Sequence, residues 1–296
     1  MIIGYIKEES LQNKFFRKIE IRNFDNNFII SISSKCKFKK RVMQKLVKYI
    51  GRLNIDALVF SKELEKRFKP EICEMLQLEK VQILNGKKLM EFMEFEIVKY
   101  VLNKQKKNMK QEEIYIIFKK CSNLDLNFLK RFIEGFRIVN IVTNDLERLK
   151  NVQDNLLEND GILISVSNNK RKALKRAKYI LNINLNKEEL EKYRINRDAI
   201  IINIQENVKY GESGFDGINI NYFNIKCPDE YMETFEQIGN DFDLVQLYES
   251  ILLNDNIQKK KIEDAYERIE RDDIKITNLI GNNGIISDEE LKKIFK

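Results

Sequence analysis

Between Ile114 and Ile204 the chain alternates short apolar runs with longer mixed segments. The runs are IYIIF (114–118), RIVNIV (137–142), GILISV (161–166), YILNI (179–183) and AIIINI (199–204). Each is too short for a buried helix, and each is rich in Ile and Val, which reads as a strand buried on both faces. The segments between the first four have helical spacing, so the pattern predicts a parallel sheet covered by helices on both sides. A sixth strand is expected at 218–225. There Ile218, Ile220 and Tyr222 alternate with Asn219 and Asn221, which predicts an edge position with one wet face.

Upstream, Ile2–Ile6, Lys18–Arg22 and Phe28–Ser33 read as strands, and NFDNN (23–27) reads as a hairpin turn. A helix is expected over Lys39–Leu53. Its apolar face carries Val42, Leu46, Val47, Ile50 and Leu53, and its basic face Lys40, Arg41, Lys45, Lys48 and Arg52. DALVF (56–60) is a further strand, with Ser61 placed to cap the next helix and Glu65 in its first turn. Pro70 should divide that helical region. VQIL (81–84), the Asn85-Gly86 turn and one long helix over 87–104 follow. After the sixth strand the spacing predicts a helix over 229–253, then a helix, a short strand, a tight GNNG turn and a final helix. Ser287 and Glu290 give that last helix a capping-box pattern. The run NNGIISDEEL resembles part of a calcium-binding loop, but Leu279 and Gly281 would stand where oxygen side chains are needed.

Charge divides the chain. Residues 1–110 carry 25 Lys+Arg against 13 Asp+Glu, a net +12, while the remainder is −5. The division supports a boundary near residue 108. The expected organisation is α/β: a small basic α/β domain over 1–108, a doubly wound parallel sheet over 109–228, and a helical extension over 229–296 that packs back on the first domain. The sequence contains no His. Imidazole bases, Ser-His and Cys-His nucleophiles and the common Cys/His zinc sites are thereby excluded. Cys36, Cys73, Cys121 and Cys227 form no CxxC pair, as expected of free thiols in a cytoplasmic protein. The abundance of Asn, Lys and Ile fits an AT-rich bacterial genome. No membrane contact is expected. The basic helix face reads as solvated rather than as a nucleic-acid surface, because no aromatic series accompanies it.

Candidate chemistry gathers at the carboxyl ends of the central strands, where open α/β sheets hold ligands. After the first strand the turn reads FKKCSNLDLNF (118–128) and contains no glycine. Lys119 and Lys120 could meet a phosphate with their side chains, and Ser122 or Asn123 could cap the following helix. After the second strand stand Thr143, Asn144 and Asp145. There a carboxylate would accept ribose hydroxyls, or Asn144 or Asp145 would simply cap the next helix. Ser167 ends the third strand, before a basic helix over 170–177, and Asn184 ends the fourth.

Residues 113–206 resemble the nucleotide-binding domain of the shikimate dehydrogenase and glutamyl-tRNA reductase group, a Rossmann-type fold. The resemblance rests on ERLKNVQDNL after the second strand, on the basic KAL segment before YIL, and on the Asn-containing turn that follows. DLVQLYESIL (243–252) is similar to the group's C-terminal helix that packs on the substrate domain, with Gln246 the match to its Gln. The resemblance implies NAD or NADP as the cofactor. The glycine fingerprint, the N-V-T-x-P-x-K run with its catalytic Lys, the paired Asp and the reductase's Cys motif have no counterpart here, so no catalytic residue carries over. The expected protein is therefore a dehydrogenase-like body that senses a nucleotide or binds a protein partner without catalysis. The alternatives are a divergent NAD(P)-dependent oxidoreductase and a nucleic-acid-binding or structural protein using the basic first domain.

Overall fold

The computed structural model describes residues 1–9, 19–34, 40–66, 81–119, 126–160, 164–211, 214–254 and 262–294. Packing divides them into two units. One joins Met1–Leu89 to Ile225–Lys275, and the other joins Met90–Asn224 to Ile276–Lys296.

In the first unit, β1 (Ile3–Glu9), β2 (Ile19–Phe24), β3 (Asn27–Ser33), β4 (Ala57–Phe60) and β5 (Gln82–Leu84) form a sheet in the order β2-β3-β1-β4-β5. The β2–β3 pair is the expected hairpin, turning at Asp25 with φ 50°. β1 runs parallel to both β3 and β4, and β4 runs parallel to β5. α1 (Lys40–Arg52) follows its predicted stripe. Val42, Met43, Leu46 and Ile50 pack with Ile6, Ile30, Ile32, Leu58 and Phe60 in one core. Residues 62–66 are helical and are named α2. Ser61 precedes α2, and its carbonyl accepts the Glu65 N–H at 2.9 Å, but among the described residues its hydroxyl has no hydrogen-bond partner. The expected side-chain cap is therefore absent. Pro70, with Cys36, Cys73 and Cys121, lies outside the described residues.

The helix expected over 87–104 is two helices, α3 (Lys87–Phe92) and α4 (Glu94–Lys104), interrupted at Met93 with φ −100° and ψ 9°. Buried Glu249 fixes the start of α3 by accepting the N–H groups of Gly86 at 2.8 Å and Lys88 at 2.7 Å. A carboxylate there satisfies donors that the first turn leaves open. The helix expected over 229–253 also divides, into α9 (Asp229–Ile238) and α10 (Leu244–Leu252). Gly239 ends α9 at φ 136°, and the Asp243 side chain caps α10 through the Val245 N–H. α11 (Ile262–Arg271) is tied to both helices through Asp272. Its Oδ2 accepts from Tyr231 Oη at 2.7 Å, Tyr248 Oη at 2.8 Å and Arg268 Nε at 2.9 Å. Burial pushes this carboxyl up, and hydrogen bonds from Tyr231, Arg268 and Tyr248 outweigh it and hold the group below its ordinary value.

The second unit carries β6 (Glu113–Ile117), α5 (Leu126–Gly135), β7 (Ile138–Val142), α6 (Leu146–Asp160) and β8 (Ser165–Ser167). After these come α7 (Lys170–Arg176), β9 (Tyr179–Asn182), α8 (Lys187–Leu190), β10 (Ile200–Asn203) and β11 (Ile218–Lys226). β8, β7, β6, β9, β10 and β11 lie side by side in that order. This is the doubly wound dinucleotide-fold order, with the reversal between β6 and β9. All the pairs from β8 to β11 are parallel. The chain is thus an α/β protein with a Rossmann-like sheet, as the apolar runs predict. β12 (Lys275–Gly281) and β13 (Gly284–Ile286) extend the sheet, and α12 (Asp288–Lys293) follows with the expected capping box between Ser287 and Glu290. Among the described residues no helix is long and apolar enough to cross a membrane.

β11 is not the edge strand that its alternation predicts: it stands between β10 and β12. Asn219 and Asn221 are buried rather than wet. Asn182 Nδ2 donates to Asn203 Oδ1 at 2.8 Å, Asn203 Nδ2 to Asn221 Oδ1 at 3.0 Å, and Asn221 Nδ2 to Asn282 Oδ1 at 2.8 Å. A neutral carboxamide has both a donor and an acceptor end, so the residues chain across the strands without burying charge.

Gly217 marks where β11 meets β10. A Cβ there would sit 2.1 Å from the Ala199 carbonyl oxygen, whereas one at Gly211 would meet nothing within 4 Å. Gly217→Ala is predicted to lower unfolding stability by about 1–3 kcal/mol in urea titrations, and Gly211→Ala to change it by less than about 0.5 kcal/mol. Equal effects would contradict the close approach of these strands.

Candidate functional site

The carboxyl ends of β6, β7, β8 and β9 gather most of the residues that the sequence singles out. β6 delivers Phe118 into the core and leaves Lys119 exposed immediately after it. Asn184, just past β9, accepts the Lys119 N–H on its Oδ1 at 2.8 Å. This bond joins the two strand ends that flank the reversal of strand order. The Lys119 ammonium reaches Glu189 Oε1 at 2.5 Å. Glu189 is held in turn by the α8 capping box, in which Asn186 accepts its N–H and Glu189 Oε2 accepts the Asn186 N–H. The hydrogen bond from Lys119 keeps the Glu189 carboxyl below its ordinary range, so it stays ionised and is no proton acceptor near neutrality.

Thr143 is fully buried at the end of β7, and its hydroxyl accepts the Asp145 N–H at 3.2 Å. That turn places Asn144 at the surface. Its Oδ1 accepts from Lys170 Nζ at 3.0 Å, a contact that the sequence reading of Asn144 did not include. Ser167 Oγ accepts the Asn169 N–H at 3.0 Å, and Asn169 caps α7 through the Lys172 N–H. The cap directs Lys170, the first residue of α7, inward, where it is 6 % exposed. Burial lowers the Lys170 ammonium below its ordinary value, with Glu189 raising it and Lys119 lowering it further. Lys119, Lys170 and Glu189 therefore share one field. Lys120, Ser122 and Asn123 lie outside the described residues.

Lys170 and Glu189 belong to this cluster and were not singled out by the sequence. Both had a local signal. Lys170 follows a Ser-x-Asn cap and shares a helix face with Leu174, which is fully buried, and Glu189 closes an Asn-x-x-Glu box. Two ammonium groups and one carboxylate that act on one another leave the cluster net positive, with Asn184 on the Lys119 N–H and Asn144 on the Lys170 ammonium. Such a set binds an anion by point charge and hydrogen bonds rather than by a backbone cradle. Among the described residues no group of acidic and sulfur side chains is placed to hold a metal ion.

No protein-family model matches the chain, and no curated protein matches its sequence. Solved structures match in part. L-tryptophan dehydrogenase from Nostoc punctiforme is 9 % identical over 91 % of this chain and 87 % of its own, with a TM-score of 0.36. A chorismate mutase/shikimate 5-dehydrogenase fusion protein from Clostridium acetobutylicum is 15 % identical over 91 % and 98 %, at 0.28. Δ1-pyrroline-2-carboxylate reductase from Thermococcus litoralis, solved with NADH and L-proline, is 11 % identical over 43 % of this chain and only 41 % of its own, at 0.28. Carbamoyltransferases match as well as dehydrogenases. Likenesses at these values bring neither a family nor an activity to this chain.

The Glu189 pKa lies below its unfolded value of 4.5. Its stabilisation is therefore complete above that pH and is lost as pH falls through the folded value. Glu189→Gln is predicted to flatten the decline of Tm below about pH 4.5 relative to the wild-type chain. Parallel declines in the two proteins would show that Glu189 is not held in this pair.

Proposed function

We propose that this chain binds a nucleotide through its phosphate at the ends of β6, β7 and β9 and does so without catalysing a reaction on it, as a dehydrogenase-like sensor. The observation that carries this reading is the convergence of Lys119 and Lys170 on the reversal point of a dinucleotide-type sheet, in place of a glycine turn. A phosphate would displace Glu189 from Lys119 and take the Lys170 ammonium at the site's wall. Asp145, with Asn144 beside it, is the candidate for the ribose hydroxyls. Among the described residues of the cluster, Glu189 is held ionised by a salt bridge and the carboxamides do not titrate.

A second reading is a divergent NAD(P)-dependent oxidoreductase. It is favoured by the strand order from β8 to β11, which is that of dinucleotide-binding sheets. Binding of a protein partner is the other form of the non-catalytic reading.

Calorimetric titration with ADP, NADH and NADPH is the test. Saturable binding of at least one is expected, weakened roughly tenfold or more by Lys119→Met and by Lys170→Met and falling as salt rises. No binding by any of the three, or affinities indifferent to both substitutions, refutes the proposal. A sustained change in nicotinamide absorbance with hydroxy acids or amino acids present would select the oxidoreductase.

A further inference from the structure

The amino ends of β6, β7 and β9 carry a second charged cluster, at the sheet edge opposite the nucleotide site. α7 covers one face of these strands: Leu174 and Ala177 pack there with Ile117, Val142 and Ile180. With seven residues α7 is about 10 Å long, against about 16 Å for the five residues of β6. The cover therefore runs out toward the amino ends. On this face Ile117 lies beside Val142, Tyr115 beside Asn140, and Glu113 beside Ile138. Ile117 and Val142 are buried, Tyr115 and Asn140 are half-buried, and Ile138 is 38 % exposed.

A cleft of about 310 Å³ opens where the cover ends, at the small end of the range for ligand pockets. Tyr115 lines it from β6, and Glu112 and Glu113 line it from the start of that strand. Arg137 comes from just before β7, Arg176 from the end of α7 and Lys178 from just before β9. Since β7 and β9 flank β6, cations stand on either side of the two carboxylates. Each carboxylate has a cation near it: Arg137 Nη2 donates to Glu113 Oε1 at 2.5 Å, and Lys107 Nζ lies 3.7 Å from Glu112 Oε1. Arg176 has no hydrogen bond or ion pair among the described residues. Burial and Glu113 raise the Tyr115 phenol above its ordinary value, and Arg176 opposes them, so these three side chains share one field.

A guanidinium without a partner presents a fork of donors that matches phosphate oxygens. A carboxylate accepts hydrogen bonds and donates none, so the part of a ligand beside Glu112 and Glu113 must carry hydroxyls rather than further negative charge. We infer that this cleft binds a small phosphorylated sugar or polyol, with its phosphate on Arg176 and Lys178, its hydroxyls on Glu112 and Glu113, and Tyr115 as the wall between. A bisphosphate sets its second charge against the carboxylates, and a free sugar leaves Arg176 without a counter-ion.

Calorimetric titration of the full chain with glucose 6-phosphate and glycerol 3-phosphate tests this, with glucose and inorganic phosphate as controls. At least one of the two esters should bind saturably. Glucose should not bind, and inorganic phosphate should bind about tenfold or more weakly than the ester. Arg176→Met and Lys178→Met should each weaken the ester about tenfold or more. Both side chains are exposed, and circular dichroism should report the native fold in each variant. Lys119→Met, at the opposite edge, should leave the ester's affinity unchanged. Absence of saturable binding, a control that binds as tightly as the esters, or an affinity indifferent to Arg176→Met would overturn the inference. Loss of ester binding in Lys119→Met would also overturn it, by assigning the ester to the carboxyl edge. The titrations contain no nucleotide, so this outcome is separate from that of the ADP and NAD(P)H measurements.

Discussion

The carboxamide chain from Asn182 through Asn203 and Asn221 to Asn282 is the constraint on which the carboxyl-end edge of the second sheet depends. It crosses β9 and β10 at their last residues and β11 within the strand. It also serves the loops: Asn182 accepts the Leu185 N–H at 2.9 Å, and Asn221 accepts the Val208 N–H at 2.9 Å. Backbone donors that would otherwise be stranded beneath these turns are satisfied by side chains. A one-residue slip of any strand would turn its Asn to the opposite face and break the chain. Register and loop position are thus set together, and Asn184, two residues beyond Asn182, is held where it receives Lys119.

At that edge the proposed nucleotide site relies on side chains where a dinucleotide fold has a glycine turn. A glycine turn presents backbone N–H groups and admits close approach. Here the chain after β6 carries side chains instead, and fixed charge comes from Lys119 and Lys170. Each lysine is held. Glu189 fixes the first, and Asn144 fixes the second within a wall that already lowers its proton affinity. A cation held as Lys170 is by Asn144 loses little freedom on binding, and a net positive field favours anions over neutral ligands.

The sheet was legible because Ile and Val runs bounded by polar segments have few other solutions. The two helix breaks differed. Gly239 adopts φ 136°, a conformation that glycine alone takes readily, so the break in α9–α10 was written in the sequence. The interruption at Met93 has no breaker residue; Leu89, Met90, Phe92 and Ile97 around it are all buried. Asn219 and Asn221 were misread because alternation of apolar and polar residues signals a wet face only when the polar groups have no buried partners. The Tyr210 carbonyl, which accepts from Asn219, and the partners of Asn221 on β10 and on the β12–β13 turn are invisible to a local pattern. For the same reason Lys119, Asn144 and Asn184 could be placed at strand ends, while Lys170 and Glu189 could be assigned only once three elements were brought together.

Hydrogen–deuterium exchange measured across the chain with and without saturating NADH tests the central claim most directly. The account predicts slowed exchange in the peptides covering Lys119, 143–145, 167–170 and 184–189, with the rest of the second unit's sheet unchanged. Protection confined to other segments, or no protection at any concentration, would contradict it.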